Sequence, residues 1–291
     1  MKKYKVSIQG QEASFSHIAA RNLFDVEPSL IYRDFFPEVF EDLASSRADL
    51  ILIPIENSTY GSIFQNYDLM TKYNVLIIAE IYLKINFHLI SFEGNTLENI
   101  KQVYSHPVAL GQIRQFLHEH KHIQALEFSD TAGAVNMIKQ KYKDSNNKYN
   151  YGAVASAFAA HTYGMTIIKE DILENQNNYT RFFLLKKVDD PKTYEIKNNI
   201  KNSAKVSLEF QLGEEAGTLY KCLEPFAKRD IAIVKIESRP IINTHWQFTF
   251  YMDIKADYSD NNFKAALSEL INNTAKLRVI GYYHKGDYIP T

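Results

Sequence analysis

Asn178-Tyr179-Thr180-Arg181-Phe182 sets a hydroxyl beside a guanidinium at the head of an apolar run that continues through Leu185. An arginine presents a planar fork of donors that fits a carboxylate or a phosphate, and a threonine hydroxyl gives or accepts one more hydrogen bond. The same pair also suits a strand end from which an arginine snorkels to water, so its meaning depends on the rest of the chain. Hydrogen-bonding side chains recur where an apolar run gives way to a helical pattern. Ser14 and Ser16 follow Lys5 to Gln9, and either is placed to cap the helix expected from His17 to Phe24. Glu56-Asn57-Ser58-Thr59 follows Leu50 to Ile55, Ser105-His106 stands before Pro107, Ser129-Asp130-Thr131 before Ala132, and Ser156 before Ala157. Each helix start carries partial positive charge, so several of them facing one cleft would grip a small molecule with more than one carboxylate.

Those groups need a scaffold of strands and helices. Leu50-Ile51-Leu52-Ile53-Pro54-Ile55 has the length and composition of a central strand buried on both faces. Val75 to Ile81 and Ile85 to Ile90 read as two more strands, and Pro107 suits a first helical position. Strands alternating with capped helices predict an α/β fold with a mainly parallel sheet, and ligands gather at the carboxyl ends of such strands. From 186 to 204 the chain turns polar and rich in Asn and Lys, which reads as a linker. Beyond it the patterns run Val206 to Leu212 strand, Leu219 to Lys228 helix, Ile231 to Glu237 strand, Trp246 to Ile254 strand, Phe263 to Ala275 helix and Val279 to Tyr283 strand. That βαββαβ order is the ferredoxin-like arrangement. Domains are therefore expected at 1–185 and 205–285, with 186–204 between them.

Composition narrows the function. The chain has 291 residues, 45% apolar and 23% charged, with a formal net charge of -1. No long basic run invites nucleic acid or an anionic membrane. One cysteine, Cys222, leaves no internal disulfide and no thiolate metal cluster. The amino-terminal stretch alternates and lacks a long apolar h-region, and no apolar run approaches a membrane span. The expectation is a cytoplasmic enzyme or sensor whose partner is a small metabolite or a protein, and the sequence offers no convincing metal or organic cofactor site.

With these residues in view, the chain resembles the prephenate dehydratase family in the form that carries a C-terminal ACT regulatory domain, over nearly its whole length. Asn178-Tyr179-Thr180-Arg181-Phe182 is similar to the family's Asn-x-Thr-Arg-Phe signature, and Val234-Lys235-Ile236-Glu237-Ser238-Arg239-Pro240 to the ACT signature of these enzymes. Pro54-Ile55-Glu56-Asn57-Ser58 and Ser105-His106-Pro107, with Ala109 and Gln112, match as well. Departures occur. In the family's first motif, Gly-Pro-x-Gly-Thr-Phe-Ser, Gln11 replaces the proline, Ala13 the second glycine and Ser14 the threonine. Glu174 stands where Asp or Asn is usual, and Pro-Gly-Ala-Leu appears as Ala216-Gly217-Thr218-Leu219, which bears on the effector.

The resemblance implies conversion of prephenate to phenylpyruvate, with loss of water and carbon dioxide, in L-phenylalanine biosynthesis. It implies a two-lobed catalytic domain resembling type 2 periplasmic-binding proteins, with the substrate in the cleft. Thr180 would hydrogen-bond the leaving hydroxyl, and Arg181 would anchor a substrate carboxylate or order the site. A threonine is a poor acid, so a relayed proton is expected from Glu56 or His106. For Glu56 the other reading is an orienting carboxylate, and for His106 a cap or a carboxylate-binding group. Ser14, Asn57, Ser58, Ser105 and Thr131 would bind the carboxylates, with Asn178 and Phe182 completing the pocket. L-phenylalanine would inhibit by binding near Gly217, Thr218, Leu219, Glu237 and Ser238, for which an internal Glu237–Arg239 ion pair is the alternative. A homo-tetramer, a dimer of dimers, is implied. Arogenate, which carries an amino group where prephenate has its keto oxygen, is the alternative substrate, and a non-catalytic amino-acid or carboxylate sensor the alternative class. No fused chorismate mutase is expected, since no helical domain precedes Lys5.

Overall fold

The computed structural model describes residues 3–197, 203–213, 215–241, 244 and 246–290. The chain divides into two compact units, one of Met1–Ile63, Tyr82–Phe182 and Tyr288–Thr291, the other of Phe64–Ile81 and Phe183–Asp287. Of the expected linker, 198–202 lie outside the described residues.

In chain order the elements begin with β1 (Lys5–Gln9), α1 (Phe15–Leu23), β2 (Ser29–Arg33), α2 (Phe36–Ala44), β3 (Leu50–Asn57), β4 (Gly61–Ser62), α3 (Phe64–Tyr73) and β5 (Val75–Lys84). The middle of the chain gives β6 (His88–Ser91), β7 (Gln102–Ser105), α4 (Pro107–Gly111), α5 (Arg114–Glu119), β8 (Gln124–Glu127), α6 (Thr131–Tyr142), β9 (Tyr151–Ala155), α7 (Ala157–Tyr163) and β10 (Thr166–Lys169). The remainder is β11 (Tyr179–Lys187), β12 (Ala204–Gln211), α8 (Thr218–Ala227), β13 (Ile233–Pro240), β14 (Phe248–Ile254), α9 (Asn261–Asn272), β15 (Lys276–His284) and β16 (Tyr288–Ile289).

The first unit is mixed α/β and holds two sheets. In one, β2, β1 and β3 run parallel and β11 follows on β3. Leu50, Ile51, Leu52 and Ile53 are wholly buried, as a strand covered on both faces requires. The other sheet runs β10-β6-β9-β7-β8, parallel at β8-β7-β9 and antiparallel at β9-β6-β10. Its core joins Ile90, Val135, Ile138 and Tyr163 to six alanines, Ala132, Ala134, Ala153, Ala155, Ala159 and Ala160, which let α6 and α7 lie close against the strands.

The second unit carries a four-stranded antiparallel sheet, β13-β14-β12-β15, with α8 and α9 on one face. Val206, Leu208, Phe210, Met252 and Ile254 form that face's core. Alternation sends the intervening residues to the other face, and these are polar yet buried: Lys205, Ser207, Glu209, Thr249 and Asp253. Residues 64–81 provide partners for that face. The Lys205 ammonium donates to both Glu80 oxygens at 3.0 and 2.9 Å, the Tyr251 hydroxyl donates to the Tyr67 carbonyl at 3.0 Å, and Arg239 forks onto Asp68 at 3.0 and 2.9 Å. Gly286 runs so close to β5 that a Cβ there would come within 2.1 Å of the Glu80 carbonyl.

Candidate active site

A chain of neutral hydrogen bonds fixes the donor and acceptor roles around Thr180. Both Asn57 Oδ1 bonds are local, accepted from the Thr59 and Tyr60 N–H groups at 3.0 and 2.9 Å. That orients the Asn57 amide, whose Nδ2 donates to Asn178 Oδ1 at 2.7 Å and to Thr180 Oγ1 at 3.0 Å. Asn178 Nδ2 in turn donates to Gln112 Oε1 at 2.9 Å. Because Thr180 Oγ1 accepts from Asn57, its own proton is left for a further acceptor. Asn178 is fully buried and Thr180 is 8% exposed, so β3 and β11 hold the hydroxyl in a dry place at the edge of a cavity.

The cavity, about 420 Å³, is lined from both sheets of the first unit. Gln9, Ser14, Asn57, Thr180 and Phe182 face it from one side, and His106, Gln112, Asp130 and Thr131 from the other. Three helix starts meet there. Ser14 caps α1 by accepting from the His17 N–H, His106 caps α4 by accepting from the Val108 N–H at 3.2 Å, and Asp130 caps α6 by accepting from the Gly133 N–H at 2.7 Å. Ser156 caps α7 in the same manner but does not line this cavity. The described lining residues include no Lys and no Arg. An anion entering here meets backbone dipoles and neutral donors. At Ala13, the backbone takes φ 64, the left-handed region that favours glycine.

Period-two alternation along β11 separates the remaining candidates on that strand. Thr180 and Phe182 face the cavity, whereas Arg181 places its Nη1 3.8 Å from Glu56 Oε2 and its guanidinium 5.9 Å from the Tyr82 ring centre. Neither Glu56 nor Arg181 lines the cavity. Of the two roles open to Arg181, ordering the strand pair fits this placement and anchoring a carboxylate does not. Ser58 is exposed; its hydroxyl donates to the Asn177 carbonyl at 3.1 Å and accepts from the Tyr179 N–H at 2.9 Å, which ties down the start of β11. Ser105 is fully buried and donates to the Val154 carbonyl at 2.6 Å. Asn178 acts through its neighbours. Thus Ser14, Asn57, His106, Thr131, Thr180 and Phe182 come together on the cavity, and Glu56, Ser58, Ser105, Asn178 and Arg181 stand behind it.

Sequence alone gives Asp130 as a possible cap, Gln112 as part of a motif and Tyr60 as a member of the polar cluster at the end of β3, and it offers no signal for Phe36 and Phe87, which also line the cavity. Their aromatic character alone does not distinguish them from core residues. Burial raises the Asp130 carboxyl above its ordinary value, against the lowering effect of the Gly133 and Ala132 N–H groups and of His106. Burial likewise lowers His106, opposed by Asp130 and Glu127. Among the described residues no trio of His, Cys, Asp or Glu is gathered to hold a metal ion.

In the second unit, Gly217 takes φ 79 and opens α8, with the Thr218 hydroxyl on the Glu215 carbonyl at 2.6 Å and Leu219 in the first turn. Glu237 and Ser238 lie on β13. Glu237 Oε2 lies 3.7 Å from Lys235 Nζ and Arg239 holds Asp68, with the Glu237 charge also acting on Arg239. Alternation puts Lys235, Glu237 and Arg239 on the same face of β13, and what engages Arg239 there is Asp68 on α3, supplied from far away in the chain. Among the described residues, no helix is long and apolar enough to cross a membrane.

Known proteins resemble this chain in sequence and in fold. Residues 6–190 match the family described as prephenate dehydratase. A bifunctional chorismate mutase/prephenate dehydratase of Aquifex aeolicus (strain VF5) is 34% identical over 285 residues, 98% of this chain and 74% of that protein. Arogenate dehydratase 5, chloroplastic, of Arabidopsis thaliana is 34% identical over 296 residues, 96% of this chain and 67% of that protein. In fold, the crystal structure of prephenate dehydratase in complex with L-Phe from Arthrobacter aurescens is similar at a TM-score of 0.83, with 24% identity over 97% of this chain and 90% of that one. On the match over 6–190 and on these relatives, the chain belongs to the prephenate dehydratase family.

Proposed function

We propose that this protein removes water and carbon dioxide from prephenate to give phenylpyruvate in L-phenylalanine biosynthesis. The observation that carries the reading is the Thr180 hydroxyl, held by Asn57 with its proton unspent, at the edge of a cavity onto which three helix starts open. Prephenate has two carboxylates for the helix starts and a ring hydroxyl for Thr180. Ser14, His106 and Thr131 bind the carboxylates or orient the substrate, Asn57 holds the Thr180 hydroxyl in place, and Phe182 supports the ring. Arg181 and Glu56 hold the strand pair in register, and Asn178, Ser58 and Ser105 are their scaffold. Loss of the ring carboxylate as carbon dioxide aromatises the ring and drives the step, and the donors cost no reorganisation because the fold has already placed them.

Residues 1–185 form the catalytic domain in this reading, 186–204 a linker and 205–285 an ACT domain, against which residues 64–81 pack within the second unit. Phenylalanine is the proposed inhibitor, bound near Gly217, Thr218, Leu219, Glu237 and Ser238 in a dimer of dimers in the cytoplasm. Inhibition follows if phenylalanine binds one quaternary state better than the other.

The test is turnover followed by ultraviolet detection of phenylpyruvate, with arogenate run beside prephenate because an arogenate dehydratase is as similar to this chain as the bifunctional enzyme. Thr180→Ala is expected to lose about 100-fold or more in kcat/KM, roughly 2.7 kcal/mol of transition-state stabilisation. Near wild-type turnover by that variant removes the assignment of Thr180. A flat response to phenylalanine removes the effector.

A further inference from the structure

The reaction consumes a proton. As the ring C–O bond breaks, its electron pair leaves with oxygen; the electrons of the C–C bond to the ring carboxylate complete the aromatic ring, carbon dioxide departs, and the hydroxide must be protonated to leave as water. Thr180 relays or positions, but its hydroxyl is too weak an acid, and the alkoxide it would leave too strong a base, to be the final source of the proton. The titratable side chains among the described lining residues are Tyr60, His106 and Asp130. Tyr60 has its hydroxyl packed on Gly111, where a Cβ would come within 2.1 Å of it. Asp130 is the one carboxyl group among them, and its position is fixed. Oδ1 accepts from the Gly133 N–H, and Oδ2 sits where a Cβ on residue 133 would come within 2.4 Å, so glycine at 133 makes room for it.

We propose that Asp130 is the general acid of this reaction, forming the O–H bond of the departing water while the ring C–O bond breaks. The carboxylate left behind takes a proton from solvent as the products leave. The proposal rests on prephenate or arogenate being the substrate of this cavity.

The surroundings of Asp130 favour the acid form. Burial is the largest influence, Asp34 acts in the same direction, and the Gly133 and Ala132 N–H groups and His106 oppose them. Tyr163, from the end of α7, is pushed up to about 12 by burial, with Glu12 and Asp130 adding to it, and so stays neutral. A ligand with two carboxylates adds like charge beside Asp130 and raises it further. Substrate binding itself thus loads the proton that the chemistry spends.

Asp130→Asn isolates this role, because asparagine caps a helix about as well as aspartate and leaves the fold in place. The measurement is kcat and KM against pH for the wild type and this variant, with both substrates. The expected result is a fall in kcat of about 10²- to 10⁴-fold, with KM within a few-fold. The wild-type decline of kcat toward alkaline pH, where the acid is lost, should vanish. A variant within threefold of wild type in kcat and with the same pH profile overturns the proposal. If the wild type turns over neither substrate, the dehydratase reading fails instead. A difference infrared spectrum of wild type minus Asp130→Asn, at neutral pH with homophthalate, a non-reacting aromatic dicarboxylate, added at saturation, then decides the protonation separately. A protonated-carboxyl band absent from the variant supports the proposal, and no such band overturns it.

Discussion

Two buried polar regions of this molecule are built on opposite principles. Around Thr180 the first unit uses neutral amides, Asn57, Asn178 and Gln112, each spending its hydrogen bonds in a fixed direction. On the polar face of its sheet, the second unit uses charges: Lys205 with Glu80, Arg239 with Asp68, Arg278 with Glu209. The first unit keeps its ion pairs, Arg181 with Glu56 and Arg33 with Asp42 among them, off the cavity lining. The difference teaches where charge belongs. A cavity that must admit a dianion cannot hold a satisfied salt bridge without opposing the ligand or surrendering a partner, whereas a packing face that admits nothing can.

If that contrast is right, breaking a charged partner should cost stability and breaking a neutral one should cost activity. The largest stability effect is expected from Lys205→Met, which leaves the Glu80 carboxylate, 0% exposed, without its cation. The loss should be about 3–5 kcal/mol in urea denaturation, and Lys205→Met combined with Glu80→Leu should recover much of it. A single-variant loss below about 1 kcal/mol would break the comparison. Next, Asn178→Ala removes the donor to Gln112 and the acceptor for Asn57; about 1–3 kcal/mol of stability should go with the unpaired groups, and kcat/KM should fall at least tenfold while the fold persists by circular dichroism.

Smaller, and dependent on pH, is the contribution of Asp42, an ionic anchor within the first unit that does not line the cavity. Its carboxylate, 0% exposed, accepts from Arg33 at 2.7 and 2.9 Å and from Ser7 at 2.8 Å. Burial opposes ionisation, but the Arg33 and Ser7 hydrogen bonds and the Arg33 and Arg47 charges outweigh it and hold Asp42 below its ordinary 3.8. The folded pKa is thus below the unfolded one, so this stabilisation is complete above 3.8 and is lost as pH falls through the folded value. Acid unfolding of Asp42→Asn should lack that component. The smallest effect sharpens the contrast from the neutral side. Ser156→Ala removes a cap that does not reach the cavity and should cost about 1 kcal/mol of stability with kcat/KM unchanged.

Legibility followed burial. Leu50 to Ile55 announced a central strand because it is apolar throughout, and the strand β1 stands at the expected Lys5–Gln9. Several elements carry too weak a pattern to be read, among them β2, β10 and α3. β2, Ser-Leu-Ile-Tyr-Arg, lies at the edge of its sheet and is only partly covered, so its pattern is weak. β10 is another edge strand, with a bulge in its pairing. α3 buries Tyr67, Leu69 and Met70 but also carries Gln, Asn, Asp and Lys, because much of what it meets is polar. At the candidate site, Thr180, Asn57, Ser14 and His106 stood out as polar residues at strand ends or helix starts. Asp130 read as a cap, which it is; only its position on the cavity gives it more.

What the chain's letters determined by themselves were the elements and their hydroxyl-bearing ends, since period and capping are local properties of a few neighbouring residues. Tertiary structure decided which of two adjacent side chains, Thr180 or Arg181, faces the cavity, and it decided that Glu56 meets Arg181. It also assigned residues 64–81 to the second unit. The physical reason is that a strand fixes only that neighbours point opposite ways. Which way is inward depends on what the rest of the chain lays against each face, and no local pattern carries that.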